Sequence, residues 1–503
     1  MAKYPTDTKL ILYVIGAFLL TYFFMFPQGW LVSDVYSYLN QGMAIAAGQD
    51  VLTYIDAVTQ KVIPYSVTQY PLGNSFWIAF WIKLCGTYFV YLGSLASVLT
   101  SAFLLHKVLH KESFFTPAVL LLFLYPSLAF FSRSLMSSIP SILLITVFLY
   151  FLFKSKESHK KWFLLSFIAA LSIWIRETNV VLLGSICLIH FFQHRRWFLS
   201  YAAGAISGTF PRLFTSNYYY GDPFYYVLGE NFSILHVVDN LGVYTILLMC
   251  FMPLGLYFFV KYRGRYFLPV ILSTTIYILV YLFYSFNATR YSGFSKGIIL
   301  MGRFMIPLLP FYILSVGWFF RKKTLKGNLI SSLYAVTIVV LISMQFLVHR
   351  EAKTHKSISN HIYSTYSDKM VLTDLSRTTN VVRYINPFHG ELSFLGDISN
   401  LKDNKYMDLL FDRFGEAYVI QTINSGNQKK QLNTSTINDY IKTAKTKYIV
   451  NEIEMIKIKP ALELRVLKVG IREGIEGNSS GNDQKTRQKG GGLIQVDENR
   501  NKS

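Results

Sequence analysis

Asp34 sits in Ser33-Asp34-Val35-Tyr36-Ser37-Tyr38, shortly after an apolar run that ends at Phe26. A carboxylate at a lipid–water boundary is costly to desolvate, so it has a partner or a task. One reading is an acid at the start of a helix, solvated at the interface. The other is a general base that takes the proton from an attacking hydroxyl at the membrane face. Four arginines share its setting at the ends of apolar runs: Arg133 in Ser132-Arg133-Ser134, Arg176 beside Glu177, Arg290, and Arg303 in Gly302-Arg303-Phe304. Each could snorkel to lipid head groups. Guanidinium also binds phosphate oxygens through two parallel hydrogen bonds, so arginines gathered on one face suit a phosphate-bearing ligand. The Arg176–Glu177 step between two short apolar runs is the most expensive placement unless it faces a cavity or forms a structural ion pair. Asp50 and Asp56 read as ordinary loop charges.

These residues need a scaffold, and composition specifies its class. The chain has 503 residues, is 52% hydrophobic and 15% charged, and has a mean hydropathy of +0.34. That composition belongs to a polytopic α-helical membrane protein. Apolar runs at 9–26, 75–106 (broken near Gly86), 115–131, 138–153, 162–175, 178–193, 197–212, 242–260, 266–286, 301–320 and 328–348 give about 11 spans. The net charge of +21 would suit nucleic acid, but many of the basic residues lie in short clusters between these runs. The clusters are Lys107 and Lys111, then Lys154 to Lys161, Arg195 and Arg196, Lys261 to Arg265, and Arg321 to Lys326. They fall after every second run, which places the N-terminus in the cytoplasm and the C-terminal region outside. No nucleic-acid partner is expected. The first run reads as an anchor, not a cleaved signal, since it is long and lacks a small-residue cleavage site.

By that topology three longer connections share the external side: 27–74 with Asp34, 213–241, and 287–300 with Arg290. In the first, 33–47 reads as an interfacial helix capped at Ser33 and ended by Gly48. Residues 1–349 then form the membrane domain. A β-rich stretch follows, with strands at 369–374, 391–395, 416–423, 447–453 and 455–468 and helices at 403–414 and 435–445. It reads as a small extracytoplasmic α/β domain over 350–472. The Gly- and Asn-rich stretch 473–503 reads as a disordered tail. Cys85, Cys187 and Cys250 have no metal-ligand spacing, and no phosphate-binding Gly loop, zinc motif or Gly-x-Ser-x-Gly elbow is present.

Several segments in order resemble the glycosyltransferase C superfamily, which includes the protein mannosyltransferases and the aminoarabinose lipid A transferases. These are Asp34 with Tyr36 and Tyr38 in a long first external loop, Gln69-Tyr70-Pro71-Leu72-Gly73, Tyr125-Pro126 followed by Ser132-Arg133-Ser134-Leu135, and Gly302-Arg303-Phe304-Met305-Ile306-Pro307-Leu308-Leu309-Pro310. The resemblance covers about 9–350 and extends loosely to the C-terminal domain. It implies an enzyme that moves a sugar from a polyprenyl-phosphate donor to an extracytoplasmic glycan, lipid or protein hydroxyl, with inversion. Asp34 would be the catalytic base. Arg133, Arg176, Glu177, Arg290, Arg303, Tyr36 and Tyr70 would bind the donor phosphate and substrate. The setting would be a plasma membrane, with the site on the outer face. Many members carry two adjacent acids where Val35 follows Asp34 here, and often an acid where Ser138 stands. A divalent metal is therefore not favoured. Two other readings stand beside this one. A flippase or transporter of lipid-linked sugars would need polar or broken helices along a midplane path, and often internal repeats. A lipid-linked glycan polymerase or ligase would bring a large central external loop. Charges crowded on one face and an appended external domain favour the transferase.

Overall fold

The computed structural model describes residues 5–24, 33–64, 67–68, 70–193, 195–225, 232–264, 266–284, 289, 294–321, 327–373, 392, 394–424, 438–442, 444–445, 447–459 and 462–471. Arg290 and the stretch 473–503 lie outside the described residues. The first part is a helical bundle whose outer surface is apolar: Phe23, Phe103, Phe192, Ile206, Phe210, Met249 and Val339 all point outward. An exposed apolar belt of this kind is covered by lipid. Among the described residues, helices within Leu92–Lys111, Ile234–Phe251 and Ser332–Tyr366 are long and apolar enough to cross a membrane, and shorter apolar helices accompany them.

The chain enters through α1 (Pro5–Phe24) and lays down α2 (Ser33–Ala46) and a small antiparallel hairpin, β1 (Thr53–Ile55) with β2 (Val62–Pro64). α3 (Gly73–Cys85) and α4 (Leu92–Lys111) follow, separated at Gly86, where φ is 77°. Where the sequence reads as one run over 115–131, the structure has two short helices, α5 (Leu120–Leu124) and α6 (Pro126–Phe131). Pro126 causes the break, because the residue before a proline is pushed out of the helical region and Tyr125 is extended (φ −73°, ψ 109°). α7 (Ser138–Lys154), α8 (His159–Ile175), α9 (Asn179–Gln193) and α10 (Phe198–Tyr220) form the middle of the bundle. α8 and α10 touch closely through Gly204 and Gly208. A Cβ at either would fall on the backbone carbonyls of Phe163 or Phe167. Small residues spaced by four are the usual means of bringing two membrane helices together.

The run 242–260 is likewise two pieces, α11 (Val237–Phe251) and α12 (Gly255–Lys261), interrupted at Met252-Pro253. α13 (Phe267–Leu282) leads to a helix over Phe294–Gly302. Pro307 and Pro310 then start the helix Leu309–Phe319 after one 3₁₀ turn. The helix Gly327–Tyr366 runs unbroken from the bundle to the C-terminal sheet, past position 349.

That sheet has five strands in the order β4-β3-β5-β7-β6. β3 (Met370–Thr373) is parallel to both β4 (Phe394–Asp397) and β5 (Glu416–Asn424). β7 (Leu462–Ile471) runs antiparallel to β5 and to β6 (Tyr448–Lys459). β6 runs on past the expected 447–453, and the expected strand 455–468 is divided between β6 and β7. The helix Asn404–Phe414 is capped by Asp403, whose carboxylate accepts from the Lys405 and Tyr406 amides at 3.0 and 3.3 Å. It buries Tyr406, Met407, Leu410 and Phe411 against the sheet and ends at Gly415.

Candidate active site

Asp34 lies in the first turn of α2, where the exposed amides of a helix N-terminus favour an anion. Its Oδ2 is 3.2 Å from Arg303 Nη1, and its Oδ1 accepts a hydrogen bond from the Tyr70 hydroxyl at 3.1 Å. Burial, reinforced by the Asp34 charge, holds the Tyr70 phenol well above its usual range, so it stays a donor. The Tyr70 ring packs on Tyr38 at 5.1 Å between centroids, and the Tyr220 hydroxyl donates to the Tyr70 carbonyl at 3.2 Å.

Arg303 is positioned by its neighbours in the chain. The Tyr125 hydroxyl donates to the Gly302 carbonyl at 2.8 Å, and the Tyr277 hydroxyl to the Phe304 carbonyl at 2.8 Å. Gly302 packs onto α6, where any Cβ would collide with Ser127 Oγ. Two segments distant in sequence, Tyr125-Pro126 and Gly302-Arg303-Phe304, therefore interlock.

Arg176 approaches from the turn between α8 and α9. Its Nη2 donates to the Tyr281 hydroxyl at 2.8 Å, and its Nε to Thr178 Oγ1 at 3.2 Å. Its guanidinium lies 5.5 Å from the centre of the Phe304 ring, and that of Arg303 lies 4.9 Å from the same ring. Phe304 thus serves two cations while one carboxylate faces one of them. Tyr38 and Tyr284 lie within electrostatic reach of Asp34, Arg176 and Arg303 together.

The remaining candidates go elsewhere. Tyr36 is buried in α2. Glu177 turns to Arg212 of α10, with 2.5 Å between Oε1 and Nη2, while Arg212 Nη1 donates to Ser216 Oγ. Burial pushes the Glu177 carboxyl up to about 7, against the pull of Arg212. This pair borders a cleft of about 550 Å³ whose other walls include Ile173, Val181, Leu213, Phe224 and Val280. Thr178 also lines it and bonds to both Arg176 and Tyr281, so one residue joins the cleft to the cluster around Phe304. Arg133 is fully buried at another place, with Tyr22 of α1 5.5 Å away and its Nη1 3.5 Å from the Gln345 carbonyl.

Sequence reasoning passed over Arg212, Tyr281 and Asp56. An arginine at the end of an apolar run, directly after Pro211, was the available signal for Arg212. Nothing local marks Tyr281. Asp56 is no ordinary loop charge: it is wholly buried.

Among the described residues, Asp34 faces hydrogen-bond donors. Its carboxylate meets a guanidinium and a hydroxyl donor, and among the described residues no group of three or more His, Cys, Asp and Glu gathers.

Solved structures share the fold. The crystal structure of ArnT from Cupriavidus metallidurans bound to undecaprenyl phosphate superposes with a TM-score of 0.57 at 11% identity, covering 94% of this chain and 100% of that one. The chain has the ArnT fold. The apo crystal structure of ArnT from the same organism gives 0.53 at 10% identity, over 91% and 98% of the two chains. The likeness in fold runs over nearly the whole of this chain. No protein-family model matches the chain, and no curated protein matches it by sequence.

Proposed function

We propose that the chain is a membrane glycosyltransferase that moves a sugar from a polyprenyl-phosphate donor to an acceptor hydroxyl on the extracytoplasmic face, with inversion. The observation that carries this reading is Asp34 ion-paired to Arg303, with Arg176 on the same Phe304 ring. A base and two phosphate-binding cations in one partly buried cluster are what a displacement at a glycosyl phosphate needs. The acceptor oxygen attacks the anomeric carbon, and its proton passes to the Asp34 carboxylate. The bond from that carbon to the phosphate oxygen breaks, and the departing phosphate keeps the electron pair. Arg303 and Arg176 meet the charge it gains.

The apolar cleft beside Arg176 supports a lipid-borne donor. So does the fold, since the ArnT crystal structure holds undecaprenyl phosphate. The basic clusters after alternate apolar runs support about eleven spans, an inside N-terminus, and a plasma membrane with the site outside. Residues 350–472 would be the external domain, joined to the bundle by the helix Gly327–Tyr366. Tyr70 belongs to the base's surroundings and Glu177 to the wider substrate region; Tyr36 and Arg290 remain substrate-binding candidates from the sequence alone.

The test is purified protein incubated with a panel of polyprenyl-phosphate sugars and candidate acceptors, with free polyprenyl phosphate as the readout. The wild-type chain should release it, and Asp34→Asn, expressed at equal level and equally stable, should not. Full activity in Asp34→Asn would remove Asp34 as the base.

A further inference from the structure

We propose that Asp56 is a positioning residue: it latches the first external loop onto the C-terminal sheet, and this domain thereby holds the segment that brings Tyr70 to Asp34. The inference rests on the transferase reading for its link to turnover, but the latch itself is a matter of geometry.

Asp56 follows β1, and its side chain is completely shielded from solvent. Oδ1 accepts from the Val58 amide at 3.1 Å, the Thr59 amide at 2.8 Å and the Thr59 hydroxyl at 2.9 Å, which closes a tight turn. Oδ2 accepts from the hydroxyl of Tyr406 at 2.9 Å, on the helix Asn404–Phe414 of the C-terminal domain. The backbone makes the same connection. Asp56 pairs in parallel with Leu395 of the edge strand β4, and the Ala57 amide donates to the Leu395 carbonyl at 3.0 Å. Arg413 Nη1 donates to the Ala57 carbonyl at 2.9 Å. Ala57 and Val58 are buried in the apolar core of that domain with Tyr406, Met407 and Leu410. The turn of the Asp34-loop hairpin therefore meets the sheet at its edge strand, through this single bridge and the side-chain bonds around it.

The inner end of the same loop is tied to α2 and to the site. Gln41 of α2 donates to the Asp50 carbonyl at 2.7 Å and accepts from the Thr68 amide at 3.4 Å, so it clips both ends of the loop. Tyr70 follows, and its hydroxyl reaches Asp34. Fixing the outer turn removes freedom from a long loop whose last residue must meet a carboxylate within hydrogen-bond range. Misplacing such a group by an ångström costs far more rate than affinity. A buried carboxylate is used because the turn and Tyr406 each need an acceptor, and Asp56 supplies two oxygens.

Tyr406→Phe keeps the ring and removes the hydroxyl of the latch, and Asp56→Ala removes the latch and the turn. Both are made in the full chain and compared by amide hydrogen exchange and by transfer kinetics. The expected result is faster exchange at residues 57–60 and at Tyr70, unchanged protection in β5 and β7, and turnover lowered about tenfold with the donor KM unchanged. Asp56→Asn should restore much of the loss, since its amide oxygen can close the turn while its NH₂ donates to Tyr406. Three results overturn the proposal: no change in exchange at 57–60 in Asp56→Ala, release of the hairpin with unchanged exchange at Tyr70, or loss of protection across β5 and β7 as well. A wild-type chain inactive on every donor would sink the transferase reading, and the exchange pattern would still decide the latch.

Discussion

Arg303 Nη1 lies 3.2 Å from Asp34 Oδ2, with both side chains largely shielded from water. In the resting site the proposed base is thus neutralised by the cation that would bind the leaving phosphate. A phosphate arriving at Arg303 competes for that guanidinium and loosens its hold on the carboxylate. On the proposed function, donor binding and release of the base would be one event. Arg303→Ala should raise the donor KM about tenfold or more and leave the acceptor KM nearly unchanged. Arg303→Lys should recover only part, because a point charge lacks the planar fork. Equal effects on donor and acceptor would assign Arg303 a purely structural role.

Tyr70 also contacts Asp34, at 3.1 Å. Tyr70→Phe keeps the ring against Tyr38 and removes only the hydroxyl. A hydrogen bond to a charged acceptor contributes about 1.5–3 kcal/mol, so turnover should fall about tenfold to a hundredfold if the bond aligns the base during transfer. The measurement is single-turnover kinetics at saturating donor. An unchanged rate would confine Tyr70 to packing.

Glu177 carries a pH signature. Burial raises its carboxyl from the ordinary 4.5 to about 7. Between those values the folded chain holds a proton that the unfolded chain has lost, so this group's contribution to stability falls as pH rises through that window. Glu177→Gln has no such proton. The melting temperature of the wild type, relative to Glu177→Gln, should therefore decline as pH rises from 4.5 to about 7 and level off above. A difference that is flat across the window would show that the carboxyl is not desolvated as the structure places it.

The legible parts of the site were those with a local cause. The helix over 33–47 announced itself by Ser33, the acid after it and Gly48, and α2 spans Ser33–Ala46. The helix Asn404–Phe414 matched its reading because Asp403 caps it and Gly415 ends it. Long runs were misjudged where a proline hides inside an apolar stretch, as at Pro126 and Pro253, because hydropathy counts a proline as just another residue. Partners were not legible at all. Arg303 stood out in sequence, but only the fold shows that it meets Asp34 and shares Phe304 with Arg176. Asp56 reads as an ordinary loop charge because its partner, Tyr406, lies 350 residues away in the sequence.

Arg133 tests whether an arginine in a motif is always a ligand for substrate. It is fully buried, stacked near Tyr22 of α1, and its Nη1 approaches the carbonyl of Gln345 on the helix Gly327–Tyr366. Gln345 in turn donates to the Ala129 carbonyl at 2.8 Å and to Ser132 Oγ at 3.3 Å. These bonds join α1, α6 and the long helix that leads to the C-terminal sheet. A guanidinium spent on that seam supports the bundle. Arg133→Met preserves much of the volume and removes the charge and the donors. It should lower the unfolding free energy by about 1–3 kcal/mol, the range for stranding a buried polar partner, and leave the donor KM within about twofold. Thermal unfolding in detergent and donor titration measure the two effects separately. A raised donor KM at unchanged stability would return Arg133 to the phosphate site.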